Sequence, residues 1–359
     1  MKVMVLPADV AGCGYYRLIW AAEHLQSEGH DVIIQYPADK DIGLKVFFAG
    51  EHEGDPNAII TDVEIPDNAD VIVMQRITHM WHAKVIPILR KKGVAVVIDM
   101  DDDLSCIHRK NQAWLNYHPL SNTPYSWRHA DESCRQATVC TVSTPSLLKV
   151  YARHGRGEVI DNFVPERYLH INPQPRDPAF GWPGTTMSHP ADLDTCGRSV
   201  QQLRDDGYAF RVIGPPSKVK TGLKLRDEPE YTGVVKIFDW PARIAELQVA
   251  LAPLEASQFN QSKSRLKLAE ASSVGVPWVA SARTEYRKFY NESGGAGLIV
   301  DTPKDWYRAV KQLMDDEPLR KELGERGREY MRTQTIEANS WRWWQAWTRA
   351  YEIEQGIGK

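Results

Sequence analysis

No apolar run in this chain of 359 residues approaches the roughly 18 residues that a membrane-crossing helix needs, so no span is expected. Cysteine is scarce. The five present (Cys13, Cys106, Cys134, Cys140 and Cys196) are odd in number and form no C-x-x-C pair, which argues for free thiols over a disulfide framework or a zinc knuckle. Positive charge is also in short supply, with 44 Lys and Arg against 47 Asp and Glu, a formal net charge of −3. A dedicated nucleic-acid binder carries a strong basic excess that is missing here; only the stretches Arg90 to Lys92, His108 to Lys110 and Lys218 to Arg226 are locally basic. Repeats and low-complexity segments are absent, which sets solenoid architectures aside. The start, MKVMVLPADVAG, has a lysine and a short apolar run, but Asp9 and a glycine loop follow at once. It reads as a first strand, not a signal peptide, and the expected location is cytoplasmic.

Two cofactor signatures are missing as well. No G-x-x-x-x-G-K-[ST] occurs, which disfavours a P-loop ATPase. The first turn, AGCGYYR, supplies Gly12 and Gly14, but a dinucleotide fingerprint needs a third glycine where Arg17 stands and an acid where Gln35 and Tyr36 stand. No cofactor is expected.

The chain does hold 42% hydrophobic and 25% charged residues, an ordinary globular balance, over a length that suits two domains. Short β-branched runs alternate with helix-length amphipathic stretches, and this pattern of parallel strands with crossover helices occurs twice. It predicts strands at Val3–Leu6, Asp31–Tyr36, Val71–Gln75, Val94–Asp99, Thr138–Val142 and Glu158–Asp161, then at Phe180–Trp182, Phe210–Ile213, Val249–Ala252, Trp278–Ser281 and Leu298–Val300. Helices are expected at Tyr15–Ser27, His79–Lys92, Pro124–Gln136, Pro145–His154, Ala191–Asp205, Ser264–Val274 and Trp306–Met314. The proline-rich stretch 172–183 reads as a linker and entry strand, since each proline removes a backbone donor. Residues 1–171 and 184–335 are then two Rossmann-like α/β domains, and 336–359, with Trp341, Trp343, Trp344 and Trp347, a terminal helix packing across the lobes.

Several clusters can carry chemistry. Gly12 and Gly14, with Tyr15 and Arg17, place a glycine turn and a guanidinium at a helix start, which suits phosphate or carboxylate. Gln75 and Arg76 end the third strand, where a doubly wound sheet presents side chains to its crevice. His79 and His82 could share a helix face but lack a third ligand for a metal. VIDMDDDL sets Asp99, Asp101, Asp102 and Asp103 at the next strand end; catalysis or acceptor binding, helix capping and metal binding all fit such a group. In LAPLEASQFNQSKSRLKLAEASSVGVPWVAS, a strand ends at Pro253 and Ser264 opens a helix with Lys263 and Lys267 beside it. Helix N–H groups and ammonium groups together suit a diphosphate, and Glu270 farther along could accept hydroxyls of a sugar or ribose.

Taken in order, Gly12 to Arg17, Asp99 to Leu104, Gly181 to His189 and Lys263 to Pro277 resemble the pieces of group 1 (family 4) glycosyltransferases of the GT-B fold, particularly the short forms of bacteriophages and bacterial glycan clusters. The resemblance implies two Rossmann-like lobes facing across a cleft, a nucleotide-diphosphate sugar bound mainly by the C-terminal lobe, no metal, and retention of anomeric configuration. It places Gly184, Thr185, Thr186 and His189 beside the donor phosphates. The family's two donor-site glutamates would fall at Ser262 and Glu270, so the first contact passes here to Asn260, Lys263 or Glu270. Asp101, Asp103, Arg76 and Glu270 are the expected catalytic residues. The acceptor, a DNA base, a virion protein or a glycan, is left open; a phage-encoded enzyme would work in the host cytoplasm. A nucleotide-sugar epimerase, or a glycan or nucleic-acid binder with a decayed donor site, are the alternatives.

Overall fold

The computed structural model describes residues 1–37, 44–50, 58–121, 125–174 and 177–357. Pro124, Pro175 and Arg176, where a helix start and part of the linker were expected, lie outside the described residues. The chain divides into two compact units: Met1–Ile107, Trp114–Asn162 and Ile336–Lys359 form the first, and His108–Ala113 with Phe163–Thr335 the second. The first boundary thus precedes the proline-rich stretch expected to mark it, and the tryptophan-rich tail clusters with unit 1.

Unit 1 contains β1 (Val3–Leu6), β2 (Val32–Ile34), β3 (Lys45–Phe48), β4 (Ile60–Glu64), β5 (Val71–Gln75), β6 (Ala95–Met100), β7 (Val139–Val142) and β8 (Gly157–Val159). Six of them form a parallel sheet in the order β2-β1-β5-β6-β7-β8. The runs VIVMQ and AVVIDM are buried throughout, as strands covered on both faces must be. β3 and β4 pair antiparallel as a separate ribbon. Sequence periodicity missed them because both are short and largely exposed.

The first helical region starts with one turn at Gly12–Gly14, widens into an i→i+5 turn over Tyr15–Ile19 and becomes a regular helix over Trp20–Ser27. Arg17 sits in the wide turn with its side chain fully buried. Its Nε and Nη2 donate to the two oxygens of Asp99 at 3.1 and 2.8 Å, and its Nη1 donates to the Ile160 carbonyl and Asn162 Oδ1. Asp99 Oδ2 also accepts from Thr141 on the neighbouring strand, and Trp343 Nε1 donates to the Arg17 carbonyl at 2.6 Å. One ion pair therefore joins the first helix, β6, β7, the segment after β8 and the terminal helix Trp341–Gln355, which packs on β5, β6 and β7 through Trp343, Ala346, Trp347 and Ala350.

Unit 2 contains β9 (Ala179–Pro183), β10 (Ala209–Ile213), β11 (Glu230–Tyr231), β12 (Val249–Ala252), β13 (Trp278–Ser281) and β14 (Gly297–Val300), all parallel, in the order β11-β10-β9-β12-β13-β14. Strand order reverses between β9 and β12, and such a switch point opens a crevice beyond the carboxyl ends of the strands. Phe180, Trp182, Val212, Leu251 and Val279 from this sheet are buried in one core with Trp306, Val310 and Leu313 from the helix Pro303–Asp315. The helix expected at Ala191–Asp205 is interrupted: a short turn at Asp192–Cys196 precedes the helix Ser199–Asp205, because Gly197 takes a φ of 58° between them. Such a left-handed residue cannot continue a right-handed helix.

Replacing Arg17 by Met leaves the Asp99 carboxylate buried without its cation, a loss of about 3–5 kcal/mol on urea unfolding. The double variant Arg17→Met, Asp99→Leu is expected to recover part of that loss.

Candidate functional site

The carboxyl ends of unit 1's sheet gather many of the residues expected to act, but the structure uses several of them internally. Asp9 Oδ1 accepts from the amides of both Ala11 and Gly14 at 2.9 Å, so the glycine turn spends the Gly14 N–H on its own chain. Gly14 is obligatory there, since a Cβ would stand 1.9 Å from the Asp9 carbonyl oxygen. Gly12 starts that turn, and Tyr15 rests against Trp20 with ring centroids 5.0 Å apart. Arg17 is bound to Asp99 inside the core. The expectation that Gly14 and Arg17 meet a donor anion is therefore corrected: both are consumed by the fold.

The acidic run resolves by division of labour. Asp99 pairs with Arg17, whereas Asp101 and Asp102 accept from Arg76 Nε and Nη2 at 2.5 and 3.0 Å. Asp103 is buried and accepts from the Ser105 amide and hydroxyl, capping the short turn Leu104–Cys106. Asp103 thus caps that turn through Oδ1. Asp101 and Arg76 keep partial exposure, at 13% and 28% of their side chains. Arg76 holds a φ of 50°, a strained position for a non-glycine residue of the kind that clusters at functional sites. Cys13 donates its thiol proton to Asp101 at 2.9 Å and is steadied by Gln75 Nε2 at 3.1 Å. Burial, and then Asp101, push the Cys13 thiol well above its ordinary pKa, so it remains a donor. Nearby, His79 Nδ1 accepts from the Trp81 amide and caps the helix Met80–Lys91.

In unit 2 the expected residues converge on the switch point. Gly184 follows β9 and lies where a Cβ would meet the Trp182 ring at 2.8 Å and Lys267 Nζ at 3.2 Å. Thr185 Oγ1 accepts from the Met187 amide; Thr186 Oγ1 accepts from the Lys218 amide at 2.9 Å, tying the loop after β9 to the loop after β10. His189 Nδ1 lies 2.8 Å from Asp192 Oδ2. Asp192 Oδ1 accepts from Asn260 Nδ2 at 2.8 Å and from the Glu255 amide at 3.0 Å, both in the loop after β12. Asp192 was not anticipated, although a carboxylate three residues after His189 is a readable signal.

The lysine helix differs from its expected form. It runs Leu266–Ser273, so Ser264 precedes it, Arg265 takes the cap position and Ser257 caps the separate turn Gln258–Gln261. Lys263 Nζ lies 4.6 Å above the Phe259 ring. Lys267, in the first turn, brings its Nζ 5.2 Å over the Trp182 ring; that nitrogen is buried and has no hydrogen-bond partner among the described residues. Burial lowers the Lys267 pKa, Asp192 and Glu270 oppose this, and Lys263 adds to it. Glu270 is itself buried, one turn beyond Lys267. The Lys267 ammonium is thus buried against a ring face, with the charges of Asp192, Glu270 and Lys263 acting on it.

Residues 197–344 match the family model described as glycosyl transferase-like. Sucrose-phosphate synthase from Thermosynechococcus elongatus superimposes with a TM-score of 0.67 at 14% identity, over 98% of this chain and 99% of that one. A glycosyltransferase from Rickettsia africae ESF-5 gives 0.65 at 12% identity, over 99% and 98%. An alpha-glucosyltransferase in complex with UDP-glucose and DNA containing an abasic site gives 0.55 at 14% identity, over 93% and 95%. Among curated proteins, human TBC1 domain family member 16 is 25% identical over 146 residues; the match spans 40% of this chain and 19% of that protein's length. The chain has the GT-B fold, two Rossmann-like units each with a six-stranded parallel sheet. Most of the residues matched by the family model, 197–335, lie in the second unit.

Burial first, then the charge of Lys267, lower the His189 pKa to about 4, against the opposing pull of Asp192. The folded protein then binds fewer protons than the unfolded chain between about pH 4 and 6.5. Stability should fall as pH drops through that window, and His189→Gln should flatten the slope there in denaturation curves taken at several pH values.

Proposed function

We propose that the protein transfers a glycosyl group from a nucleotide-diphosphate sugar, bound by unit 2, to an acceptor hydroxyl. The observation that carries this reading is Lys267, a buried ammonium without a hydrogen-bond partner among the described residues, seated against Trp182 and the Gly184 turn at the switch point of the sheet. A diphosphate supplies the hydrogen-bond acceptors it lacks, with Lys263, Thr185, Thr186 and His189 as further contacts. Asn260 and Glu270 are assigned to hydroxyls of the sugar or ribose. In the reaction the bond from the anomeric carbon to the diphosphate oxygen breaks, one to the acceptor oxygen forms, and the acceptor loses its proton. Fixed cations stabilise the charge developing on the leaving diphosphate, so that electrostatics and positioning supply the acceleration.

Unit 1 is assigned to the acceptor, with the Arg76–Asp101 pair at its carboxyl edge as the group that meets it. Retention and independence from divalent metal complete the proposal. They rest on the resemblance to the retaining, metal-free glycosyltransferases and on lysines standing where a metal-dependent enzyme would place its cation. A DNA base, a protein and a glycan are all open as acceptor.

The decisive experiment incubates the protein with a panel of nucleotide sugars and mixed acceptors and follows products by mass spectrometry. Transfer of a glycosyl mass to one acceptor is expected; isomerised donor without acceptor would identify an epimerase. Turnover should survive EDTA, and loss of activity restored by manganese would overturn metal independence. Lys267→Met should weaken binding of uridine diphosphate by roughly 1.5–3 kcal/mol, measured by calorimetry, if one charged hydrogen bond is lost.

A further inference from the structure

Asp192 lies between two loops that leave the sheet on opposite sides of its switch point. Its own segment follows β9, and its partners Glu255 and Asn260 follow β12. Only 3% of its side chain is exposed, and both oxygens are engaged by N–H groups. We propose that Asp192 is a positioning residue of the donor site: it clasps the two loops together, fixes the His189 ring and turns its Nε2 toward the donor. This rests on the assignment of the switch point as a nucleotide-sugar site.

The chemistry of the clasp is specific. Oδ2 accepts from Nδ1–H of a neutral imidazole, which leaves Nε2 with a lone pair and makes His189 an acceptor for a donor hydroxyl. Oδ1 accepts two N–H groups at once, from Asn260 and from Glu255. An asparagine at 192 has nearly the same shape but only one acceptor oxygen. Whichever way its amide turns, an NH2 group faces either the His189 Nδ1–H or the two donors of the other loop. The charged groups bearing on this pair are Lys263 and Lys267 on His189, and Lys267 on Asp192. Burial, and then the charges of Asp192 and Glu270, raise the pKa of the nearby Tyr286 phenol.

Two readouts on Asp192→Asn in the full-length protein test the clasp. Ring-nitrogen NMR at neutral pH is expected to show the Nδ1–H tautomer of His189 in the wild type and a mixture of tautomers in the variant. Calorimetry with uridine diphosphate and with the intact nucleotide sugar is expected to show a tenfold or greater loss of affinity, larger for the nucleotide sugar, with thermal unfolding still cooperative. An unchanged tautomer, or a changed tautomer with unchanged affinities, would overturn the proposal while leaving the donor site standing. A wild-type protein that binds no nucleoside diphosphate would instead sink the donor-site assignment and the clasp with it. If Asp192→Asn does not fold, Asp192→Glu keeps both acceptor oxygens but lengthens the arm, so that His189 and the loop after β12 are no longer held at their present spacing. That variant should keep the His189 tautomer and lose severalfold in nucleotide-sugar affinity; retained affinity would overturn the clasp.

Discussion

The Arg17–Asp99 pair is the constraint on which unit 1 depends. A guanidinium with no solvent exposure is tolerable only when its donors are matched, and here they meet a carboxylate, a carbonyl and an amide oxygen. The elements that supply those acceptors come from distant parts of the chain, so the charge cannot be satisfied until all of them are in place. Specific polar pairing of this sort fixes one arrangement, whereas an apolar core of equal volume would accept several.

Unit 2 repeats the principle with the sign reversed. There the buried carboxylate of Asp192 is matched by His189, Asn260 and a backbone amide, and the unmatched partner is the ammonium of Lys267. The two units thus treat buried charge differently. Unit 1 closes its central charge completely and leaves the partly exposed Arg76–Asp101 pair at the edge. Unit 2 leaves one cation incomplete beneath a glycine turn, which is the more expensive arrangement and the more informative one.

Much of the fold was legible because parallel strands are continuous apolar runs: Val71–Gln75, Val249–Ala252 and Trp278–Ser281 match the expected strands residue for residue. The ribbon of β3 and β4 and the two-residue strand β11 were not, since exposed or very short strands carry little periodic signal. For the candidate site residues, type and position along the chain leave the partners undetermined. Arg17 and Asp103 have the composition of ligand-binding residues, and only tertiary contacts reveal that one is a core ion pair and the other a cap. Asp192 was passed over for the complementary reason: its spacing from His189 is readable, but its importance comes from Glu255 and Asn260, more than sixty residues away along the chain.

The return of the terminal helix to unit 1 has a bearing on how the chain is made. Trp343 completes the hydrogen bonding around Arg17, yet it is synthesised after every residue of unit 2. During vectorial synthesis the second unit can therefore close first, while the N-terminal sheet waits with an uncovered apolar face beside β5, β6 and β7. Until Trp341–Gln355 has been made, that face has no helix to cover it.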